Sequence, residues 1–306
     1  MLKPFLQSCK EIVHLGKLMV SANRRFIRIP PGHFYSPLPN IKDIRANKQS
    51  LFDSSANEIP GVDIRAEEQA ENLEATLKSA AAMDFPIDAS ENKRYYYNNT
   101  YFRYFDATIL YGMLVRHRPA RVVEIGSGFS SALMLDCRDD IEGYEPQLTF
   151  VEPFPDRLKS LFRDDDDELN LVQEFVQNTA MSTYDQLEAG DFLFIDTSHV
   201  SKIGSDVNHL FFEVLPRLKP GVFVHVHDVM WPFEYTEHWV ESGRAWNEAY
   251  LLRALLIGNE GLKIHLHLAY AENHLNELIK EHLPKNVSTA QRDGIPNGTG
   301  IWMQTC

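Results

Sequence analysis

The sequence predicts an α/β protein, a doubly wound parallel sheet preceded by an N-terminal cap of helices and loops. Three observations carry this reading. From about Asp106 onward, short apolar runs alternate with helical stretches, and strands separated by helices pair in parallel through right-handed crossovers. Most of those runs are apolar on both faces, as a sheet covered by helices on both sides requires. Residues 1–105 carry few strand signals, which places a boundary near 105 with the cap in 1–105 and the sheet in 106–306.

Taken in order, the first twenty residues read as an amphipathic helix, because Lys10, Glu11, His14 and Lys17 interrupt any signal-peptide core. RIPPGHFYSPLPN follows, and prolines at 30, 31, 37 and 39 exclude regular helix from it. A polar helical stretch (66–82) and the aromatic segment YYYNNTYF (95–102) complete the cap. The sheet domain then reads helix 106–117, strand 121–125, a Gly-rich turn, helix 129–137, strand 148–152, helix 155–162 and strand 170–175. A short helix near Tyr184, strand 192–196, helix 205–218, strand 222–227, helix 246–258, strand 263–268 and a last strand 300–304 bring the strand count to seven. The acidic run Asp164–Glu168 reads as a solvated connection.

Composition narrows the function. At 306 residues, 44% hydrophobic and 24% charged, the chain is ordinary for a soluble globular protein. A net charge of −13 with no basic stripe argues against nucleic acid as a partner. No apolar run approaches the ~20 residues that span a bilayer, so no membrane is expected. Cys9, Cys137 and Cys306 are odd in number and far apart, with no CxxC spacing. That usage points to a reducing, cytoplasmic compartment and away from structural zinc.

The chemistry concentrates at strand ends. The first strand runs into VVEIGSGFSSALML, so Glu124 closes the strand, Gly126, Ser127 and Gly128 make the turn, and a helix opens near Phe129 and Ser130. Glycines there let a ligand approach the backbone, and Glu124 can accept hydrogen bonds beneath the loop. Glu152 ends the next strand 28 residues later, where an acidic side chain can hold the ribose hydroxyls of a nucleoside. Ser131 stands where a dinucleotide fingerprint needs its last glycine, and an acid two residues before the first glycine points instead to S-adenosylmethionine.

EIGSGFSS, FVEP, FIDTSH and VHVHD at successive strand ends together resemble the class I S-adenosylmethionine-dependent methyltransferases. The resemblance covers roughly 106–306, implies a Rossmann-like seven-stranded sheet, and puts the final IWMQ in the place of that family's antiparallel seventh strand. Ser130 replaces the third glycine of the usual loop. PGHFYSPLP before the fold, with GSDV and LPRLKPG inside it, is similar to a bacterial group defined largely by sequence. That similarity implies a methyltransferase and says little about its substrate.

Asp196 ends the fourth strand with His199 three residues on, and His227-Asp228 ends the fifth at the same edge, where open α/β sheets bind ligands. Two carboxylates with an imidazole suit a divalent ion such as Mg²⁺. The arrangement is similar to metal-dependent sugar and macrolide O-methyltransferases. By that similarity Asp196 and Asp228 are metal ligands and His199 is the general base, while His227 takes the place of a second acid. The aromatics Trp231, Phe233, Tyr235 and Trp239 either form a lid or pack the cap, and His33, Tyr35, Asn98 and Asn99 either close over the cofactor or build turns.

The resulting expectation is an O-methyltransferase acting on a small hydroxylated molecule. Glu124, Gly126, Ser127, Gly128, Ser130, Glu152 and Asp196 would hold S-adenosylmethionine, and Asp196 and His199 would act in catalysis. Two alternatives stay open: a nicotinamide-dependent oxidoreductase using the same turn, and a non-catalytic cofactor-binding protein that forms a homo-oligomer through its cap.

Overall fold

The computed structural model describes residues 29–163, 169–283 and 298–306. The expected N-terminal helix, Cys9 and the acidic run lie outside them. The chain divides into two compact units, one made of residues up to Leu51 with Glu237–Ala245, the other of Phe52–Thr236 with Trp246–Cys306. Residues 52–105 therefore belong to the same unit as the sheet.

Along the chain, helix α1 (Ile41–Leu51) follows the Pro-rich segment, which forms only turns and bends in its described part, as its prolines dictate. Helix α2 (Ala66–Ser79) runs into one 3₁₀ turn, Ala80–Ala82, then come α3 (Tyr104–His117), β1 (Arg121–Ile125), α4 (Phe129–Asp140), β2 (Gln147–Val151) and α5 (Asp156–Lys159). Strand β3 (Asn170–Val172), α6 (Ser182–Asp185), β4 (Phe192–Ile195), α7 (Asp206–His209), β5 (Phe223–Val226) and α8 (Glu237–Glu241) follow. Helix α9 (Glu248–Leu256), β6 (Leu262–His267), α10 (Leu268–His274), α11 (Asn276–His282) and β7 (Ile301–Thr305) end the series.

The expected helix over 205–218 is broken. After α7 it continues as a π turn, Leu210–Val214, and a 3₁₀ turn, Leu215–Arg217, where Pro216 lacks the N–H an α-helix needs. Sequence reading also missed α1, α8, α10 and α11. Asn and His interrupt the apolar pattern of the last two, and α1 buries no residue, so it carries no apolar stripe to detect.

The seven strands are ordered β3-β2-β1-β4-β5-β7-β6, all parallel except β7. Alternation along the strands sends Val122, Phe150, Phe192, Phe194, Phe223 and Trp302 into one core with Leu73, Leu77, Ile109, Leu110 and Leu133 of the helices. The residues of opposite parity, Val123, Ile125, Leu193, Ile195, Val224 and Met303, are buried as well. Both faces are therefore covered, which the doubly apolar runs demand. A buried Arg94–Asp136 pair at 3.0 Å ties the aromatic segment to α4, and the same carboxylate accepts the Tyr95 N–H. No helix among the described residues is long and apolar enough to cross a membrane.

Topology decides where a site forms. The chain winds outward from β1 through β2 to β3, then crosses back to β4 on the other side of β1. A crevice opens at that reversal, at the carboxyl ends of β1 and β4. Ile125 pairs with both Val151 and Ile195, and Ile195 with Val226. The next residues, Gly126, Glu152, Asp196 and His227, consequently form one row along the carboxyl edge.

Candidate active site at the carboxyl edge

Gly126 turns the chain out of β1 with φ +78°, and a Cβ there would lie 1.7 Å from the Asp196 carbonyl oxygen. Only glycine supplies that backbone conformation in that space. Glu124 is wholly buried, and both its carboxylate oxygens accept hydroxyl hydrogens, from Ser130 and from Ser131. Ser131 in turn accepts the Gly128 N–H at 2.9 Å. Glu124 and Ser130 thus brace the turn from within. Glu152 closes it from the side: one oxygen accepts the Ser127 N–H at 3.1 Å, the other the Phe154 N–H at 2.7 Å.

The Ser127 hydroxyl is buried with no hydrogen-bond partner among the described residues. Such a group calls for a bound partner. Phe154 and Phe175 are exposed and meet edge to face at 5.7 Å, an apolar surface two residues beyond Glu152. The Arg157 guanidinium lies 3.7 Å above the Tyr101 ring, and Tyr101 stacks on Phe129 at the start of α4.

The second half of the site stands on the loops after β4 and β5. Asp196, His199 and Asp228 each offer one ligand atom, and the three atoms lie within 4.8 Å of one another. His199 Nε2 is 3.4 Å from Asp196 Oδ1 and 3.4 Å from Asp228 Oδ2. On its other side His199 Nδ1 lies 2.9 Å from Glu248 Oε2, at the first turn of α9. The side chains of His199 and Glu248 are 6% and 1% exposed, against 37% for Asp196 and 18% for Asp228, so solvent reaches the group through the two aspartates. Both His199 and Asp228 have φ +58°, a conformation that costs a non-glycine residue about 1–3 kcal/mol and persists where its surroundings hold it.

Those surroundings are visible. The His199 carbonyl accepts the N–H groups of Asn247 and Glu248 at 3.0 and 3.2 Å, and the Asn247 side chain accepts the Ser201 N–H at 2.6 Å. Asp206 holds the preceding residue through the Ser198 N–H and hydroxyl at 2.9 and 2.6 Å. Trp246 packs against the imidazole with ring centroids 4.3 Å apart.

Burial by itself lowers the His199 pKa, but hydrogen bonds to Asp196 and Glu248 and the charges of Glu248 and Asp228 raise it well above the ordinary histidine range. Burial also raises Asp228 and Glu248, whereas for Asp196 the His199 hydrogen bond and the neighbouring His227 and His199 outweigh burial and lower it. No Lys or Arg among the described residues forms an ion pair with any of these three carboxylates. Two carboxylates and an imidazole converging there, with the Arg157 charge acting on Asp196 from farther off, fit a divalent ion.

His227 is adjacent but turned inward. It is 3.8 Å from Asp228 through Nε2, which also meets Thr299 Oγ1 at 3.2 Å, while its Nδ1 is 3.3 Å from His225. Thr299 also donates its N–H to buried Asp106 at 2.9 Å. His225 stacks on Phe194 with centroids 4.1 Å apart, a packed strand residue. Trp231, Phe233 and Tyr235 are all buried, so they serve packing; Trp231 Nε1–H donates to the Ala56 carbonyl and the Tyr235 hydroxyl accepts the Ala249 N–H. Asn99 accepts the Tyr101 and Phe102 N–H groups at 3.0 and 2.7 Å, the turn-building use of that residue.

The structure thus gathers Gly126, Ser127, Gly128, Glu152, Asp196, His199 and Asp228 on one edge. It keeps Glu124 and Ser130 beneath the turn and His227 behind Asp228. Sequence reading missed Glu248, which lies 49 residues beyond His199 in an ordinary helix start and reaches it only through the fold. Asp106 and Thr299 were missed for the same reason.

Burial pushes Glu124 up to about 8 and Asp106 up to about 7. From about pH 4.5 to 8 the unfolded chain therefore releases protons that the folded one keeps, so stability falls as pH rises through that window. On the acid side His117, His265 and His267 are lowered by burial to about 4, 3 and 3, and their contribution is lost as pH falls below 6.5. Denaturant unfolding should show greatest stability near about pH 6, with at least about 1.4 kcal/mol lost by pH 8.5, the worth of a single pKa unit. Glu124→Gln should flatten the alkaline decline, and stability climbing from pH 6 to 8 would contradict the assignment.

Residues 123–229 match the family model described as a methyltransferase domain. Over 165 residues the chain is 35% identical to an uncharacterized protein of Archaeoglobus fulgidus, a match covering 52% of this chain and 73% of that protein. The chain belongs to that protein's family and carries a methyltransferase domain. Among solved structures, the SAH-bound Podospora anserina methyltransferase PaMTH1 aligns at 15% identity and a TM-score of 0.39, over 89% of this chain and 99% of its own. CmcI with Mg and SAM aligns at 17% identity and a TM-score of 0.39, over 86% and 96%. Within the methyltransferase domain fall the Gly126 turn, Glu152, Asp196, His199 and Asp228; Glu248 lies beyond its matched limits.

Proposed function

We propose that the chain is a class I S-adenosylmethionine-dependent O-methyltransferase acting on a small hydroxylated molecule with a divalent ion at the acceptor site. The observation that carries this is contact between the two halves of the edge: the glycine turn presses against the Asp196 backbone, so a nucleoside cofactor on Glu152 and an acceptor on Asp196, His199 and Asp228 share one crevice. Ser127 supplies an unpaired hydroxyl to the cofactor, Glu152 accepts from ribose hydroxyls, and Phe154 and Phe175 offer an apolar surface to the base.

The acceptor oxygen would be oriented by Asp196 and Asp228, and its proton taken by Nε2 of His199, which faces both carboxylates, in the neutral ring that forms above its raised pKa. A divalent ion on Asp196 and Asp228 supplies Lewis acidity that lowers the acceptor hydroxyl's pKa. His199 delivers that proton into a setting of three carboxylates that stabilises imidazolium. Methyl transfer is a single in-line displacement, so positioning by the rigid strand ends carries much of the rate. The Asp–His loop paired with an acid one strand later supports the likeness to sugar and macrolide O-methyltransferases.

Calorimetric titration with S-adenosylmethionine and S-adenosylhomocysteine, with Mg²⁺ and with chelator, tests the reading. Micromolar binding is expected, and no binding of either, with NADH binding instead, would overturn it. Glu152→Ala should weaken S-adenosylhomocysteine about 10- to 100-fold, since hydrogen bonds to a charged group contribute about 1.5–3 kcal/mol.

A further inference from the structure

Glu248 does more at this edge than add charge beside the imidazole. It is almost completely buried, has no Lys or Arg among its ion-pair partners, and sets Oε2 on one imidazole nitrogen while Oε1 accepts the Thr197 hydroxyl at 3.4 Å. A carboxylate is only an acceptor, so the contact at 2.9 Å requires His199 Nδ1 to carry a hydrogen. The backbone repeats the connection, because Asn247 and Glu248 both donate to the His199 carbonyl. Helix α9 thereby grips the residue at its ring and at its main chain, and holds it in a left-handed conformation it would otherwise leave.

We propose that Glu248 is the positioning residue of the site: it fixes His199 with hydrogen on Nδ1, so that in the neutral ring Nε2 directs its lone pair at the point shared by Asp196 and Asp228. This rests on the reading of His199 as the proton acceptor. An imidazole free to rotate presents a lone pair there only part of the time, and in the other tautomer presents an N–H that cannot take a proton. Partners that orient a histidine in this way typically change its ligand affinity 10- to 100-fold when removed.

Zn²⁺ serves as the probe, because it bonds an imidazole lone pair whereas Mg²⁺ prefers the carboxylates alone. The chelator-stripped full chain is titrated with Zn²⁺, Mg²⁺ and S-adenosylhomocysteine as wild type, Glu248→Ala, Glu248→Gln, His199→Ala and the double Ala variant. Glu248→Ala should weaken Zn²⁺ about 10- to 100-fold and leave Mg²⁺ within about threefold. Glu248→Gln, whose amide oxygen still accepts from Nδ1–H, should recover most of the loss and keeps the test alive if the Ala variant fails to fold. In the His199→Ala background the second substitution should add nothing, since Glu248 acts only through that ring.

Additive losses in the two Ala variants, Zn²⁺ binding unchanged in Glu248→Ala, or Zn²⁺ binding that ignores His199 would each overturn the assignment. Failure of the methyltransferase reading shows separately, as loss of S-adenosylhomocysteine binding in the wild type with the Zn²⁺ cycle intact.

Discussion

Gly126→Ala is expected to abolish measurable S-adenosylhomocysteine binding and to destabilise the fold by about 2–6 kcal/mol, combining backbone strain and overpacking of about 1–3 kcal/mol each. The added methyl would sit 1.7 Å from the Asp196 carbonyl oxygen. Backbone cannot rotate aside as a long side chain does. Asp196 would have to move away from β1, breaking the N–H···O contact of 2.9 Å between Asp196 and Ile125 and displacing both halves of the crevice together. Gly190→Ala is the control: φ is +89° there, yet nothing lies within 4 Å of the new carbon. Its cost should stay near about 1 kcal/mol, the backbone cost alone, with cofactor binding unchanged. Unfolding in denaturant and calorimetry read both effects. Equal losses in the two variants would mean that the contact between strand ends is dispensable.

The same contact explains how much of this site a linear reading could reach. Every strand was legible, because a sheet covered on both faces writes its strands as short runs dominated by Val, Ile, Leu and Phe, and the carboxyl-edge residues follow directly from where those runs stop. Gly126, Glu152, Asp196, His199 and Asp228 were found in that way. Glu124 was legible as a strand-end acid, but its role was not: whether its oxygens meet a ligand or Ser130 and Ser131 depends on the curl of the turn. His227 illustrates a related limit. Adjacent residues at the end of β5 face differently, so the His227 ring meets His225 and Thr299 whereas Asp228 Oδ2 faces His199. Glu248 was illegible because its partner is 49 residues away and α9 is an unremarkable amphipathic helix. The broken helix after Asp206 was half-legible, since Pro216 marks an end but not the π turn before it.

His199→Ala should lower turnover of a hydroxylated acceptor about 10²- to 10⁴-fold, the range for loss of a general acid–base group, which corresponds to about 3–5 kcal/mol in the barrier. The cofactor half should be spared. Glu152 accepts the Ser127 N–H and Ser131 the Gly128 N–H, with no bond to His199, so S-adenosylhomocysteine affinity is expected to stay within about threefold. A split of this kind separates a proton acceptor from a residue that merely supports the fold, which would lower cofactor affinity and turnover together. Stability will respond too, because the imidazole is shared by Asp196, Asp228 and Glu248, and its removal leaves Glu248 buried without its partner. Leaving a buried charge uncompensated costs about 3–5 kcal/mol. The double variant His199→Ala, Glu248→Ala removes that charge and should regain stability over His199→Ala while remaining as inactive. Turnover within threefold of wild type in the folded single variant would remove His199 from the reaction and leave the two aspartates to position the acceptor alone.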